Sequence, residues 1–133
     1  MYYLVNNKFV HSEEAMISFH DSGFLYGDGL FETMRFDNGK IFSINKHLDR
    51  LMRSLDIINL QLNQSNDDLI KMLYSVIDKN LITDGIIRLM ITRGTVNNHI
   101  LEPSIYISIK KFYNIPISPV KVVYFNEIKY LNS

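Results

Sequence analysis

The chain has no cysteine among its 133 residues. That excludes disulfides, thiolate metal sites and cysteine nucleophiles. Nor does either charge predominate, since 14 Lys and Arg balance 14 Asp and Glu. A neutral chain offers no electrostatic footprint to a nucleic-acid backbone or an anionic lipid surface, so neither is expected as a partner. Long apolar runs are missing as well, and none nears the roughly 20 residues that span a bilayer. The opening MYYLVNNKFV lacks a basic stretch followed by an apolar core, which argues against a signal peptide and makes the cytoplasm the expected location. Repeats and low-complexity tracts are absent. His11, His20 and His99 lack metal-ligand spacing, and no metal is expected.

What is present is a hydrophobic content of 47%, enough for one ordinary domain with a core. Residues 2–5 and 8–10 are short apolar runs around Asn6-Asn7, a β-hairpin pattern. Residues 18–29, rich in Gly, Asp and aromatics, read as a loop. Residues 30–36 and 40–43 flank Asp37-Asn38-Gly39, a second hairpin pattern. Leu48, Leu51, Met52, Leu55 and Ile58 recur at spacings of three and four, as do Leu69, Met72, Leu73, Val76 and Ile77, which predicts two helices. Ser65 with Asp68 three residues on predicts the N-cap of the second. Residues 85–92, 105–112 and 120–125, rich in β-branched and aromatic side chains, read as strands. Residues 94–103 and 114–119 between them read as loops. The expected fold is α+β, an antiparallel sheet with two helices on one face and no internal boundary.

Three segments could carry chemistry. In Tyr26-Gly27-Asp28-Gly29-Leu30-Phe31-Glu32-Thr33, two glycines around an aspartate permit a tight turn and close backbone approach. The third glycine and the βαβ context of a dinucleotide site are lacking. In His47-Leu48-Asp49-Arg50-Leu51, the leucines face the core while His47 and Arg50, three apart, share a side. That is either a solvated helix face or a guanidinium aimed at an anion. In Thr92-Arg93-Gly94-Thr95, an arginine ends an apolar strand, where it needs an acidic ligand, a salt bridge or water.

Taken in order, these segments resemble the class IV aminotransferases, the fold type IV pyridoxal-phosphate enzymes. The resemblance rests on Asp21-Ser22-Gly23-Phe24-Leu25-Tyr26-Gly27-Asp28-Gly29-Leu30-Phe31-Glu32-Thr33-Met34-Arg35, then Asn38-Gly39-Lys40-Ile41-Phe42, His47-Leu48-Asp49-Arg50-Leu51 and Ile91-Thr92-Arg93-Gly94. It covers nearly the whole chain. It implies an enzyme that moves an amino group between an amino acid and a 2-oxo acid with pyridoxal 5'-phosphate, working as a homodimer. 4-Amino-4-deoxychorismate lyase, which releases pyruvate and 4-aminobenzoate, is a close alternative within the family.

The resemblance also implies roles for single residues. Arg50 would grip the cofactor phosphate. Phe31 would line the substrate pocket. Arg93 falls in a region that can bind a substrate carboxylate, and Asp28 would stabilise the turn. The Schiff-base lysine has two readings. Lys129, in Glu127-Ile128-Lys129-Tyr130-Leu131-Asn132, precedes a Leu-Asn pair as the family lysine does. Its spacing from the strand at 120–125 instead favours a lysine beyond Ser133. The resemblance implies that residues 1–133 form the N-terminal domain, without the cofactor-binding C-terminal one. By themselves they would hold the cofactor poorly and catalyse nothing, which leaves a non-catalytic binding or dimerisation module as a further alternative.

Overall fold

The computed structural model describes residues 1–97, 100–112 and 121. The expected strand at 120–125, apart from Lys121, the loop at 114–119, His99 and Lys129 lie outside the described residues. The elements run β1 (Tyr2–Val5), β2 (Lys8–His11), α1 (Ser22–Tyr26), β3 (Gly29–Asp37), β4 (Lys40–Ile41), α2 (Ile44–Ile57), α3 (Asn66–Asn80), β5 (Gly85–Asn97) and β6 (Ile100–Lys111). All six strands join one antiparallel sheet in the order β2-β1-β6-β5-β3-β4.

Both short hairpins form where the Asn-rich turns predict them. Asn6 and Asn7 have φ of 45° and 66°, and Asn38 and Gly39 have φ of 47° and 70°. Two successive residues at positive φ make the turn whose twist matches a right-handed strand pair. Asn pays less than most residues for that conformation, and Gly pays nothing.

The sheet buries one face completely. Met34 and Phe36 of β3, Ile87, Leu89 and Ile91 of β5, and Ile105, Ile107 and Ile109 of β6 point toward the helices. Leu48, Leu51 and Leu55 of α2 and Leu69, Leu73, Val76 and Ile77 of α3 meet them. The period-3.6 stripes and the period-2 alternation therefore close on each other, the two-layer solution expected of an α+β domain. Ser65 caps α3 with a reciprocal capping box: its hydroxyl accepts from the Asp68 backbone, and the Asp68 carboxylate accepts from the Ser65 backbone. Asn80 at the other end of α3 bonds both backbone groups of Tyr2 at 2.8 Å, tying the helix to β1.

Two loops expected from sequence contain regular structure. Residues 22–26 form the short helix α1, because Asp21 accepts from the Gly23 backbone at its N-terminus and Gly27, at φ 66°, ends it. Five residues are too few for a periodic signal. Residues 95–97 and 100–102 continue the β5–β6 ladder through a bulge between Thr92 and Thr95. Gly94 sits in that bulge at φ 80°, where a Cβ would lie 1.7 Å from the Glu102 carbonyl oxygen. The glycine that signals a loop is here the residue that lets two long strands stay paired.

Leu81 ends α3 in the left-handed conformation with φ 52° and is 91% exposed. A leucine there gains no burial and carries the strain of positive φ. Leu81→Gly is expected to stabilise the fold by about 0.5–1 kcal/mol, read as a raised urea midpoint at unchanged slope. By contrast, Leu73→Ala, in the fully buried stripe of α3, is expected to cost about 2–5 kcal/mol.

Candidate active site

The chemistry-bearing side chains gather around the first half of β3. Successive residues there point to opposite faces, Phe31 away from the helices and Glu32 toward them. Strand β5 pairs with β3 from Gly29 to Phe36, whereas β4 pairs only with Phe36 and Asp37. Among the described residues, the outer edge of residues 29–35 has no strand beside it. A ligand at that edge could reach both faces of the sheet.

On the helix side, Glu32 is only 4% exposed and shares the inward face of β3 with Met34 and Phe36. Both its oxygens are engaged. Arg50 donates from Nε to Oε1 at 2.7 Å and from Nη2 to Oε2 at 2.5 Å. His47 Nδ1 lies 2.7 Å from Oε2 and 3.4 Å from Arg50 Nη2. The sequence puts His47 and Arg50 on a common side of α2, and the structure shows what they share. The Arg50 pairing, outweighing the opposing effect of burial, holds the Glu32 carboxyl below its ordinary 4.5, with His47 helping. Arg50 is pushed up in turn by Glu32. Even so paired, the Arg50 side chain remains 61% exposed. Among the described residues, its Nη1 has no protein partner.

On the opposite face, Phe31 is 64% exposed and borders a cleft of about 410 Å³ lined also by Phe24, Met90, Thr92 and Tyr106. Arg88 of β5 donates from Nε to Thr33 Oγ1 at 3.0 Å and lies with its guanidinium carbon 5.1 Å from the Phe31 ring centre. It makes no ion pair among the described residues. A second cleft of about 340 Å³, bounded by Arg88, Tyr106, Ser108 and residues 15–17, adjoins the first through Ile17, Met90 and Tyr106.

Two acidic residues pin the segment before β3 onto β5. Asp21 is fully buried; its Oδ1 accepts from the Gly23 backbone at 2.8 Å, and its Oδ2 accepts from Thr92 Oγ1 at 2.8 Å and Tyr106 Oη at 2.9 Å. Burial, with Asp21 close by, raises the Tyr106 phenol. Asp28 accepts from Arg93 Nε at 2.6 Å and Nη2 at 3.2 Å. Arg93 also donates to the carbonyls of Ile58 and Asn59 just past α2, at 2.8 and 3.1 Å. Cations suit the orphan carbonyls of a helix C-terminus. The Gly94 bulge turns Arg93 into this junction. The surface-salt-bridge alternative thus describes the Arg93 geometry, and Asp28 serves the turn.

Sequence reasoning picked out Arg50, Phe31 and Arg93, and the structure brings the first two to one strand edge. It missed the hub roles of Glu32 and Asp21, although both lie within the quoted motif. A carboxylate at an inward position of an alternating strand was the available signal for Glu32. Arg88, at an outward position in an otherwise apolar strand, was the same kind of signal.

With this geometry in place, the comparisons are informative. Residues 29–131 match the amino-transferase class IV family. The chain is 37% identical over 118 residues to a D-alanine aminotransferase of Staphylococcus aureus, covering 84% of this chain and 42% of that protein. Among solved structures, it resembles a branched-chain amino acid aminotransferase from Escherichia coli at a TM-score of 0.75 and 28% identity, over 84% of this chain and 41% of that one. It also resembles a 4-amino-4-deoxychorismate lyase from Pseudomonas aeruginosa at 0.70 and 25%, over 86% and 41%. The chain belongs to the class IV aminotransferase family, and it spans less than half the length of these relatives. Among the described residues no helix is long and apolar enough to cross a membrane.

Two outcomes test the site. Because the Glu32 carboxyl is held low when folded, the unfolded chain takes up its proton first as pH falls. Its stabilising contribution is therefore present above 4.5 and lost as pH drops through the folded value. Urea unfolding should show stability falling less below that pH in Glu32→Gln than in the parent. Asp21→Ala leaves three donors facing an emptied site. It is expected to cost on the order of 1–3 kcal/mol for each donor that water cannot reach, and hydrogen exchange should quicken first at residues 21–27.

Proposed function

We propose that this chain supplies the cofactor-phosphate anchor and one substrate wall of a pyridoxal-phosphate-dependent aminotransferase acting on an amino acid, D-alanine by likeness to its relatives, and a 2-oxo acid. The observation that carries the reading is Arg50: a guanidinium fixed on its inner edge by Glu32 and open on its outer edge, beside the unpaired edge of β3. A fork of donors with one free side suits a phosphate. The residues present therefore fit the phosphate arm of the cofactor.

When bound, that cofactor supplies the electron sink for a bond broken at the substrate α-carbon. The chain's own residues bind and orient. Arg50 holds the phosphate on the helix side of the β3 edge, and Phe31 walls the cleft on the other. Arg93 has its guanidinium committed to Asp28 and two carbonyls, so we assign it the task of holding the turn that presents Phe31. We assign the substrate carboxylate instead to Arg88, which stands over Phe31 without an acidic partner among the described residues. For the proton-shuttling lysine we keep the spacing argument, which favours a position beyond Ser133 over Lys129. The family's homodimer and cytoplasmic setting are part of the same reading. Residues 1–133 by themselves are expected to turn over no substrate, since the resemblance puts the remaining cofactor contacts in a second domain.

A lyase reading has one observation in its favour. Arg88 on the substrate face suits a substrate carrying more than the one carboxylate of alanine. Assay of the intact enzyme with D-alanine plus a 2-oxo acid, and separately with 4-amino-4-deoxychorismate, separates the two. Aminotransfer yields pyruvate only when the 2-oxo acid is added. The lyase releases 4-aminobenzoate with no acceptor.

In the intact enzyme, the expected result for cofactor binding is a visible absorbance band on adding pyridoxal phosphate, with borohydride fixing the cofactor to the protein. Arg50→Met should weaken the complex about tenfold or more, the loss of a charge-assisted pair. A band that forms as readily in Arg50→Met as in the parent would overturn the assignment of the phosphate.

A further inference from the structure

We propose that Glu32 is the positioning residue of an anion seat, bonding two prongs on α2, Arg50 and His47, so that the Arg50 guanidinium is fixed as the donor for a phosphate monoester. The inference rests on the reading of Arg50 as phosphate anchor and adds the device that makes the anchor work. It comes from three features of the fold.

The first is placement. Glu32 occupies an inward position of β3 that alternation would give to an apolar side chain, in line with Met34 and Phe36. A buried carboxylate survives only if paired and hydrogen-bonded. Here three bonds from two side chains satisfy it: two from Arg50 and one from His47.

The second is rigidity. His47 and Arg50 flank Leu48 and neighbour Leu51, both buried in the core, so the turn of α2 that bears them is fixed. An exposed arginine on a helix otherwise samples many rotamers, and an anion must pay to order it. Glu32 imposes that order when the chain folds.

The third is the direction of the free edges. Glu32 takes the inner edge of each prong: Nε and Nη2 of Arg50, and Nδ1 of His47. Among the described residues, Arg50 Nη1 and His47 Nε2 have no protein partner. Arg50 Nη2 and His47 Nδ1 are 3.4 Å apart. The carboxylate and the neighbouring imidazole thus hold the inner edge of the guanidinium, and Arg50 Nη1 is left to meet an anion.

A merely structural Glu32 would show the same bonds, so the test must separate fold from positioning. Pyridoxal phosphate is titrated by absorbance, with inorganic phosphate as competitor, into the parent, Glu32→Gln, Arg50→Met and the double variant. Circular dichroism accompanies each titration. Glu32→Gln keeps the side-chain shape but replaces one acceptor oxygen with a donor. It should weaken pyridoxal phosphate binding about tenfold and weaken inorganic phosphate competition by a similar factor. In the Arg50→Met background the same change should alter binding less than about twofold, because a residue that acts through another has nothing left to act on.

Equal losses in both backgrounds would overturn the proposal, and so would undiminished binding in Glu32→Gln. If Glu32→Gln loses its native spectrum, Glu32→Asp takes its place. It retains the charge but, one methylene shorter, cannot reach both prongs, and an intermediate loss confined to the Arg50-containing background is expected. Failure of the underlying reading looks different: Arg50→Met itself would then bind pyridoxal phosphate as tightly as the parent.

Discussion

A carboxylate under the sheet is the constraint around which the rest of this site is arranged. Glu32, buried in line with Met34 on the core face of β3, cannot remain ionised unless hydrogen-bonding partners come to it. Helix α2 brings a guanidinium and an imidazole, spaced so that both reach while Leu48 and Leu51 stay in the core. The orientation of α2 on the sheet is thus coupled to the electrostatics of one side chain. Removing either partner leaves a buried charge or an untethered guanidinium, and the apolar core alone replaces neither.

The segment preceding β3 is held by a different logic. Asp21 and Asp28 bracket helix α1, and each grips the same stretch of β5, Asp21 through Thr92 and Asp28 through Arg93. Between them the chain exposes Phe24 and Tyr26, and just after them Phe31, large apolar groups that a stable surface would normally hide. Phe24 and Phe31 border the cleft, so the pins convert an unfavourable surface into a wall of fixed shape. The Gly94 bulge belongs to this device, because an unbroken ladder would not turn Arg93 toward Asp28 and the end of α2.

The layer architecture was legible because its signals are periodic. The stripes at Leu48, Leu51 and Leu55 and at Leu69, Leu73 and Val76, with the alternation through residues 30–36, define which faces meet. The Asn6-Asn7 and Asn38-Gly39 turns were legible for the same local reason. Helix α1 was not, being shorter than two turns and set by one capping aspartate. The β5–β6 extension was hidden because Gly94 reads as a loop when its partner strand is unknown. For the site, shared sidedness placed His47 beside Arg50, but nothing local shows that a strand 15 residues earlier supplies their common carboxylate. Arg93 illustrates the converse. Its position at a strand end reads as an anion site until Asp28 and the α2 carbonyls are seen to occupy it.

The account turns on a difference between two arginines: Arg50 keeps an open edge and Arg93 does not. Side-chain Nε–H resonances of the two, followed by NMR while inorganic phosphate is added, test that difference directly. The predicted result is a saturable shift of the Arg50 signal with the Arg93 signal unmoved. A shift of Arg93 with Arg50 silent, or no response from either, would contradict the placement of the anion seat on Glu32, His47 and Arg50.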